Sequence, residues 1–344
     1  MAVYYGNVSS RAHCAPLPLM TTSRPIHWGI LSTANIARFA FLPALRAAGG
    51  GIPYAVGGRD PGRTRAFAAE HGVEHALDGY AAVIEDAHVD AVYIPLPNSM
   101  HAEWTIAALQ AGKAVLCEKP LCGTAEQTRA VLDVARTAPR PLWEAFIFPF
   151  HEQMTRLRRL LDEGAIGEPR EIQFSWHFRL NNPANVRLSA ELQGGALRDI
   201  GCYGIRLARL VFADEADSAI AVAQISPGGV DEELQGVLCF PAHRRLLLSV
   251  GMRGPNEVGA RIVGADGLIA MTNPFHPRAS DTMEIQGVDA NTTESVAGDE
   301  PSFVPALRHI HAVLHSQEQP RHLAIDEALG NALAIDLLLS ASNL

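Results

Sequence analysis

Ile26-His27-Trp28-Gly29-Ile30-Leu31-Ser32-Thr33-Ala34-Asn35-Ile36-Ala37 is the stretch on which the fold of this chain turns. Six strand-like residues run into a tight turn, and apolar residues then recur at helical spacing through Leu45. Strand, turn and helix in this order open a dinucleotide-binding fold, in which small turn residues let a pyrophosphate approach backbone amides at the helix N-terminus. The glycine fingerprint is degenerate here, because Ser32, Ala34 and Ala37 stand where G-x-G-x-x-G would fall. The turn must then be made without glycine at its first position. Folds that bind nothing also use small residues between a strand and a helix.

Gly49-Gly50-Gly51 ends that helix, and Ile52 to Gly57 forms a second strand closing in Gly58-Arg59-Asp60-Pro61. An NAD site usually carries an acid here for the ribose hydroxyls, whereas an NADP site supplies an arginine. Gly58 and Arg59 suit NADP, with NAD as the alternative; Asp60 beside Pro61 reads as the N-cap of a helix over Pro61 to His71. A strand at Ala91 to Ile94 breaks into Pro95-Leu96-Pro97-Asn98-Ser99, with Asn98 or Ser99 as N-cap of a helix from about Met100 to Gln110. Ala114-Val115-Leu116-Cys117-Glu118-Lys119-Pro120 then reads as an inner strand with Lys119 at its mouth, kept out of the α region by Pro120. The chain has 26 arginines and only two lysines, so arginine serves wherever charge alone is wanted. A lysine can give up a proton if burial or a neighbouring cation lowers its pKa, which arginine cannot; the plain alternative is a solvated strand end. A helix near Thr124 to Arg136 and a strand at Pro141 to Phe146 complete the alternation of a parallel α/β sheet.

Beyond Phe150 the rhythm changes. A helix over Gln153 to Glu163 precedes a half-buried strand, Arg170 to Leu180. Gly194-Gly195 leads into an amphipathic helix, Ala196 to Phe212, whose spacing puts Asp199 and Tyr203 on one face, one turn apart. Strands at Ala219 to Ile225, Glu233 to Phe240, Arg244 to Met252, Gly259 to Val263, Leu268 to Thr272 and Met283 to Gln286 predict a large, mostly antiparallel sheet of five or six strands. Helices over Pro301 to Gln317 and Asp326 to Ser342 close the chain. The fold class is α/β: a Rossmann-type domain over residues 25–149, then an α+β domain with an open sheet over 150–344 whose last helix packs back on the first. Residues 1–24 read as a mobile extension, with Met20 an alternative start.

Composition excludes several classes. At 344 residues and 48% hydrophobic the chain can build two ordinary cores. A formal charge of −9 without a basic tract lacks the footprint of a nucleic-acid binder, and an acidic surface argues against anionic membranes. Five cysteines, odd in number and without C-x-x-C, argue against a disulfide framework and a thiolate zinc site, and no metal is expected. Reduced thiols point to the cytoplasm. No apolar run approaches the ~18 residues of a membrane helix.

Four motifs in order, Gly29 to Ala37, Ile94 to His101, Glu118-Lys119-Pro120 and Gly194 to Tyr203, resemble the oxidoreductase family named after glucose-fructose oxidoreductase, inositol 2-dehydrogenase and a rhizopine-catabolism protein. The similarity covers about Pro25 to Leu344 and is greatest to its pyranose dehydrogenases, dihydrodiol dehydrogenases and nucleotide-ketosugar reductases. It implies an enzyme that moves hydride between NADP, or NAD, and a hydroxyl or keto carbon of a sugar or cyclic polyol. It implies Lys119, Asp199 and Tyr203 as the catalytic constellation, with Tyr203 exchanging the proton if Lys119 stabilises its phenolate. Ser32, Thr33, Ala34, Asn35, Ile36, Arg59, Pro97, Asn98, His101, Glu118 and Lys119 are implied to line the cofactor. Substrate is implied to meet Lys119, Arg187, Asp199 and Tyr203. Members often pair through the open sheet as dimers or tetramers. Reduction of a nucleotide-linked keto sugar is the alternative, with Arg179, Arg187 and Arg198 as its cations; a non-catalytic dinucleotide-binding regulator is a third reading. Relatives often carry Tyr-Arg where this chain has Phe148-Pro149.

Overall fold

The computed structural model describes residues 24–288, 291–295 and 300–343. The expected mobile extension and alternative start at Met20 therefore lie outside the described residues, except for Arg24. That residue's guanidinium donates to both carboxylate oxygens of Asp90 at 2.7 Å.

The first sheet is built from β1 (Ile26–Leu31), β2 (Gly51–Gly58), β3 (His75–Asp78), β4 (Ala91–Ile94), β5 (Ala114–Cys117) and β6 (Leu142–Glu144). All pair in parallel, in the order β3-β2-β1-β4-β5-β6, which is the dinucleotide-binding topology. Every residue of β4 and β5 is buried, as expected of inner strands covered on both faces. The covering helices are α1 (Leu42–Ala48), α2 (Pro61–His71), α3 (Gly79–Glu85), α4 (Asn98–Gln110) and α5 (Ala125–Ala135). Asp60 caps α2 by accepting from the Arg63 amide at 2.9 Å, and Thr124 caps α5 through the Gln127 amide at 3.2 Å. Neither Asn98 nor Ser99 caps α4, because the helix begins earlier than expected and Pro97 holds the N-cap position. The pair β3 and α3 has no counterpart in the sequence reading; β3 alternates half-buried and exposed residues instead of showing an apolar run.

The second sheet has eight strands rather than five or six: β7 (Pro169–Arg179), β8 (Ser218–Ile225), β9 (Asp231–Phe240), β10 (Arg244–Gly251), β11 (Arg253–Gly264), β12 (Leu268–Met271), β13 (Thr282–Gln286) and β14 (Asn291–Ser295). Their order is β14-β13-β12-β11-β7-β10-β9-β8, antiparallel throughout except between β7 and β10. The inner face, including Phe174, Leu234, Leu246, Val250 and Ile262, shares one core with α6 (Glu152–Asp162) and α7 (Cys202–Phe212).

The chain then returns. In α8 (Val304–Leu314), Leu307 and Ile310 join the core of Trp28, Phe41 and Leu45, so α8 belongs to the first sheet's packing. Helix α9 (Ala324–Ala341) lies against α5 and β6 on one side and α7 and β8 on the other. Asp336 of α9 accepts from the Ala125 amide at 3.0 Å, a second cap on α5. Helix α9 thus ties the layers of the two sheets together.

Candidate active site

The turn after β1 answers how glycine is dispensed with. Ser32 holds φ 114°, a region that favours glycine, while its amide donates to the Gly57 carbonyl at 2.8 Å. Its hydroxyl donates to the Pro95 carbonyl at 3.3 Å and accepts from the Ala34 amide at 3.2 Å. A serine thus makes the turn by tying it to the strand on either side. The helix that follows starts at Asn35 and passes through a π-helical turn, Ala37–Phe41, into α1, and no side chain caps it. Its first amides are open to an anion. At the end of β2, Asp60 is turned to its helix cap, and Arg59 is exposed beside Tyr80, whose hydroxyl it touches electrostatically. An uncapped helix start, an exposed guanidinium and an acid already engaged fit a dinucleotide with a 2′-phosphate.

Lys119 follows β5, and its peptide bond to Pro120 is cis. The loop is held from three sides. Glu118 accepts from the Tyr93 hydroxyl at 2.6 Å, and Glu144 of β6 accepts from the Leu121 amide at 2.7 Å. His101, fully buried, lies 2.9 Å through Nδ1 from the Pro120 carbonyl and 2.8 Å through Nε2 from the Leu96 carbonyl. The structure therefore places His101 beneath the loop, with both ring nitrogens engaged by backbone. Pro97 is half-buried, and Asn98 donates to the Gln193 carbonyl at 2.8 Å, joining the start of α4 to the second half of the chain.

That join is what positions Asp199. The segment Ser189 to Arg198 clasps the lysine loop: Arg198 donates to the Gly123 carbonyl at 2.9 Å and Gln193 to Gln127 at 3.1 Å. Asp231 accepts from the Leu197 amide at 2.6 Å. Gly195 passes so close that an added Cβ would lie 2.0 Å from Asp231 Oδ1, and its φ is 112°, so no other residue fits. Asp199 then lies in a π-helical turn, Leu197–Gly201, ahead of α7, not in the regular helix expected.

Lys119 sits between Asp199 and Tyr203. Its Nζ donates to the Asp199 carbonyl and to Oδ1 at 3.3 Å, and lies 4.9 Å from the centre of the Tyr203 ring. Arg187 donates through Nε to Asp199 Oδ2 at 2.6 Å. Burial alone would raise the Asp199 pKa, but the Lys119 and Arg187 cations hold it below the ordinary carboxylate range. For Lys119 burial pulls down, yet Asp199, with Tyr203, Cys202 and Glu118, outweighs it and the pKa rises. The expectation of a lysine poised to lose its proton is therefore overturned: its nearest neighbour is a carboxylate, not a cation. Tyr203 is pushed up by burial, which Lys119 only partly offsets, so its phenol stays protonated.

Tyr203 stands in an aromatic box. Phe146, Trp176 and Phe275 lie 5.3, 5.2 and 4.9 Å away between ring centres, and Phe148, fully buried, lies 6.1 Å away. Sequence reasoning missed Tyr93, Glu144, Trp176 and His276. Only Glu144 left a signal, a carboxylate inside the buried strand Leu142-Trp143-Glu144.

A dinucleotide turn after β1 and a lysine-tyrosine pair following β5, at the same end of the parallel sheet, are the features of a nicotinamide-dependent oxidoreductase. Residues 26–146 match the model of the oxidoreductase family with an NAD-binding Rossmann fold, and residues 154–270 match the GFO/IDH/MocA C-terminal domain. The chain belongs to this family. It is 38% identical, over 75% of its length and 76% of the relative's, to a dTDP-3,4-didehydro-2,6-dideoxy-alpha-D-glucose 3-reductase of Streptomyces violaceoruber. A D-xylose 1-dehydrogenase (NADP(+)) of Haloferax volcanii is 30% identical over 87% of this chain and 99% of that one. The structure superposes with a TM-score of 0.84 on a 3-ketoreductase from Actinomadura kijaniata in complex with NADP and TDP-benzene, 31% identical and covering 92% of this chain and 98% of the other.

Proposed function

We propose that the protein is an NADP-dependent oxidoreductase that interconverts a hydroxyl and a keto carbon of a sugar or related cyclic polyol. The observation that carries this reading is the Lys119 ammonium set between the Asp199 carboxylate and the Tyr203 ring at the mouth of β5. Ser32 to Ile36 and Arg59 would hold the dinucleotide, which when bound would supply or accept the hydride. Tyr203 gives its proton to the carbonyl oxygen as the carbon is reduced, or takes it back in oxidation. Lys119, protonated throughout, donates to that same oxygen and lowers the cost of its developing charge. Asp199 and Arg187 hold the lysine in place and keep the site's net charge small.

A second reading, reduction of a nucleotide-linked keto sugar, is supported by the 38% identity to a dTDP-keto sugar 3-reductase and by the likeness to a 3-ketoreductase in complex with TDP-benzene. A buried phenol beside a permanent ammonium is set up to donate a proton, which is what ketone reduction needs. Of its three cations, Arg198 is spent on backbone carbonyls and Arg187 on Asp199, leaving Arg179 as the exposed one.

We further place the domain division near residues 149 and 150, with α8 returning to the first unit and α9 packed between the two, and read the enzyme as a cytoplasmic homo-oligomer paired through the second sheet. Among the described residues no helix is long and apolar enough to cross a membrane. Cys117, Cys122 and Cys202 are buried free thiols, which supports a reducing compartment. The test is spectrophotometric: NADP and NAD reduction with aldoses, polyols and dihydrodiols, and NADPH oxidation with dTDP-keto sugars. Dinucleotide binding without turnover across that panel would leave only the regulator.

A further inference from the structure

His276 lies on the connection between β12 and β13, and one side chain fixes its backbone from both ends. Asn273 Oδ1 accepts from the His276 amide at 3.2 Å, while its Nδ2 donates to the His276 carbonyl at 2.6 Å and to Asp281 at 3.1 Å. The preceding Phe275 is fully buried and stacked on Trp176 with ring centres 5.8 Å apart. The loop is thus rigid at this residue. Yet the imidazole itself makes no hydrogen bond to any described residue. Its ring centre is 5.9 Å from that of Tyr203 and 6.0 Å from that of Trp176.

These ring distances place it beside the Tyr203 ring, with Lys119 and His151 as its charged neighbours. Burial lowers its pKa first, then the charges of His151 and Lys119, to about 4. His151 is itself buried, with Nε2 2.8 Å from the Ser302 carbonyl and Nδ1 unpartnered. The ring is half-buried and held firmly beside Tyr203, and neither nitrogen is used by a described residue, so both are free to meet a ligand in the site. At neutral pH the imidazole offers one donor and one acceptor. A sugar hydroxyl offers the same pair in return.

We propose that His276 binds a ring hydroxyl of the substrate next to the carbon that reacts at Tyr203, and so selects polyhydroxylated rings over simple alcohols. This rests on the oxidoreductase reading above. His276 holds the substrate and exchanges no proton in the reaction.

The test uses the full-length protein with the panel of aldoses, polyols, dihydrodiols and dTDP-keto sugars. His276→Phe keeps a ring against Trp176 and Tyr203 and removes both nitrogens, while His276→Gln restores a donor and an acceptor. KM for the best substrate rises about tenfold or more in His276→Phe, the scale of one hydrogen bond to a buried polar group, and recovers at least in part in His276→Gln. Melting temperature and NADP affinity stay at the parent values, and kcat falls less than KM rises. An unchanged KM in a folded His276→Phe variant overturns the proposal and leaves the oxidoreductase reading standing. Absence of turnover across the panel by the parent protein overturns that reading, and the proposal with it.

Discussion

Lys119, Asp199 and Tyr203 are singled out by the motifs that carry the family resemblance, since spacing alone leaves Asp199 and Tyr203 as ordinary helix residues, and their ionisation is not legible in the sequence at all. The state of Lys119 depends on a carboxylate 80 positions away, brought close by a π-helical turn and a clasp that no local pattern announces. The corrected roles have consequences. Lys119→Ala lowers turnover at least ~10²-fold while NADP affinity changes little, since the lost contact is made chiefly to developing charge. Lys119→Arg keeps the charge but puts a planar guanidinium where the Nζ now reaches the Asp199 carbonyl, and it fails as well. Tyr203→Phe removes one hydroxyl, folds normally within its aromatic box, and loses turnover on the same scale. Near-parent turnover in Tyr203→Phe would remove the phenol from the chemistry. At the cofactor's other end, Arg59→Ala erodes the preference for NADP over NAD in a binding titration, and equal affinity in the parent would contradict the assignment of Arg59. Glu144 gives a pH signature. Burial raises its pKa to about 7 against the Leu121 amide and the Arg206, Arg209 and Lys119 cations. A raised pKa means the folded state holds the proton more tightly, so the stabilisation is complete below the ordinary 4.5 and lost as pH rises through about 7. Glu144→Gln still accepts from Leu121 but cannot titrate, so its melting temperature gains on the parent between pH 5 and 8; a constant difference would show that Glu144 is not protonated there.

Elements were legible where burial is two-sided or caps are chemical, and illegible where a strand is polar. The buried runs β4 and β5 and the cap Asp60 stand in the sequence as they stand in the structure, while Thr124, read as the start of a helix, proves to be its cap. Strand β14, Asn-Thr-Thr-Glu-Ser, does not: it is largely exposed at a sheet edge, and its pairing with β13 supplies what its composition lacks. Helix α4 starts at Asn98 itself with Pro97 at the N-cap, and the Asn98 side chain donates to the Gln193 carbonyl of the other half, a partner no local pattern names. Helix α5 is capped twice, by its own Thr124 and by Asp336 of α9. Thr124→Ala removes one hydrogen-bonded cap and costs about 1 kcal/mol in denaturant unfolding. The charge on Asp336 still faces the helix N-terminus, so the loss stays at this scale and activity is kept. A loss of several kcal/mol would mean that the cap also holds the crevice together.

Across the whole molecule, the two kinds of sheet and their order followed from the switch between helical and alternating periodicity, but the return of α8 to the first core did not, since an amphipathic helix does not name its partner. The outward face of the second sheet shows the same limit. The run Leu246-Leu247-Leu248 and the pair Ile262-Val263 read as outward apolar residues, whereas Leu246, Leu248 and Ile262 point into the core and only Leu247 and Val263 turn out. The outward face instead joins Leu247 and Val237 to Ile220 and Val222, which are 71% and 69% exposed, with Gln173, Ser175, Gln235, Ser249, Glu257, Arg261 and Glu284 across the rest. It forms a shallow concavity of about 810 Å³. Exposed apolar side chains on β8, continued by half-buried ones on β9 and β10 and rimmed by hydrogen-bonding groups, have the make-up of a subunit interface. A second copy of the same face is the self-complementary partner that twofold symmetry supplies. The protein is therefore expected to be a dimer or larger by light scattering at micromolar concentration. Val222→Lys, with Ile220→Glu as a second variant of opposite charge, shifts it toward monomer while dinucleotide binding persists, because β8 lies on the far side of the second sheet from the Lys119 crevice. A monomeric parent protein at that concentration would refute the pairing, and an unchanged oligomer in both variants would move the interface off this face.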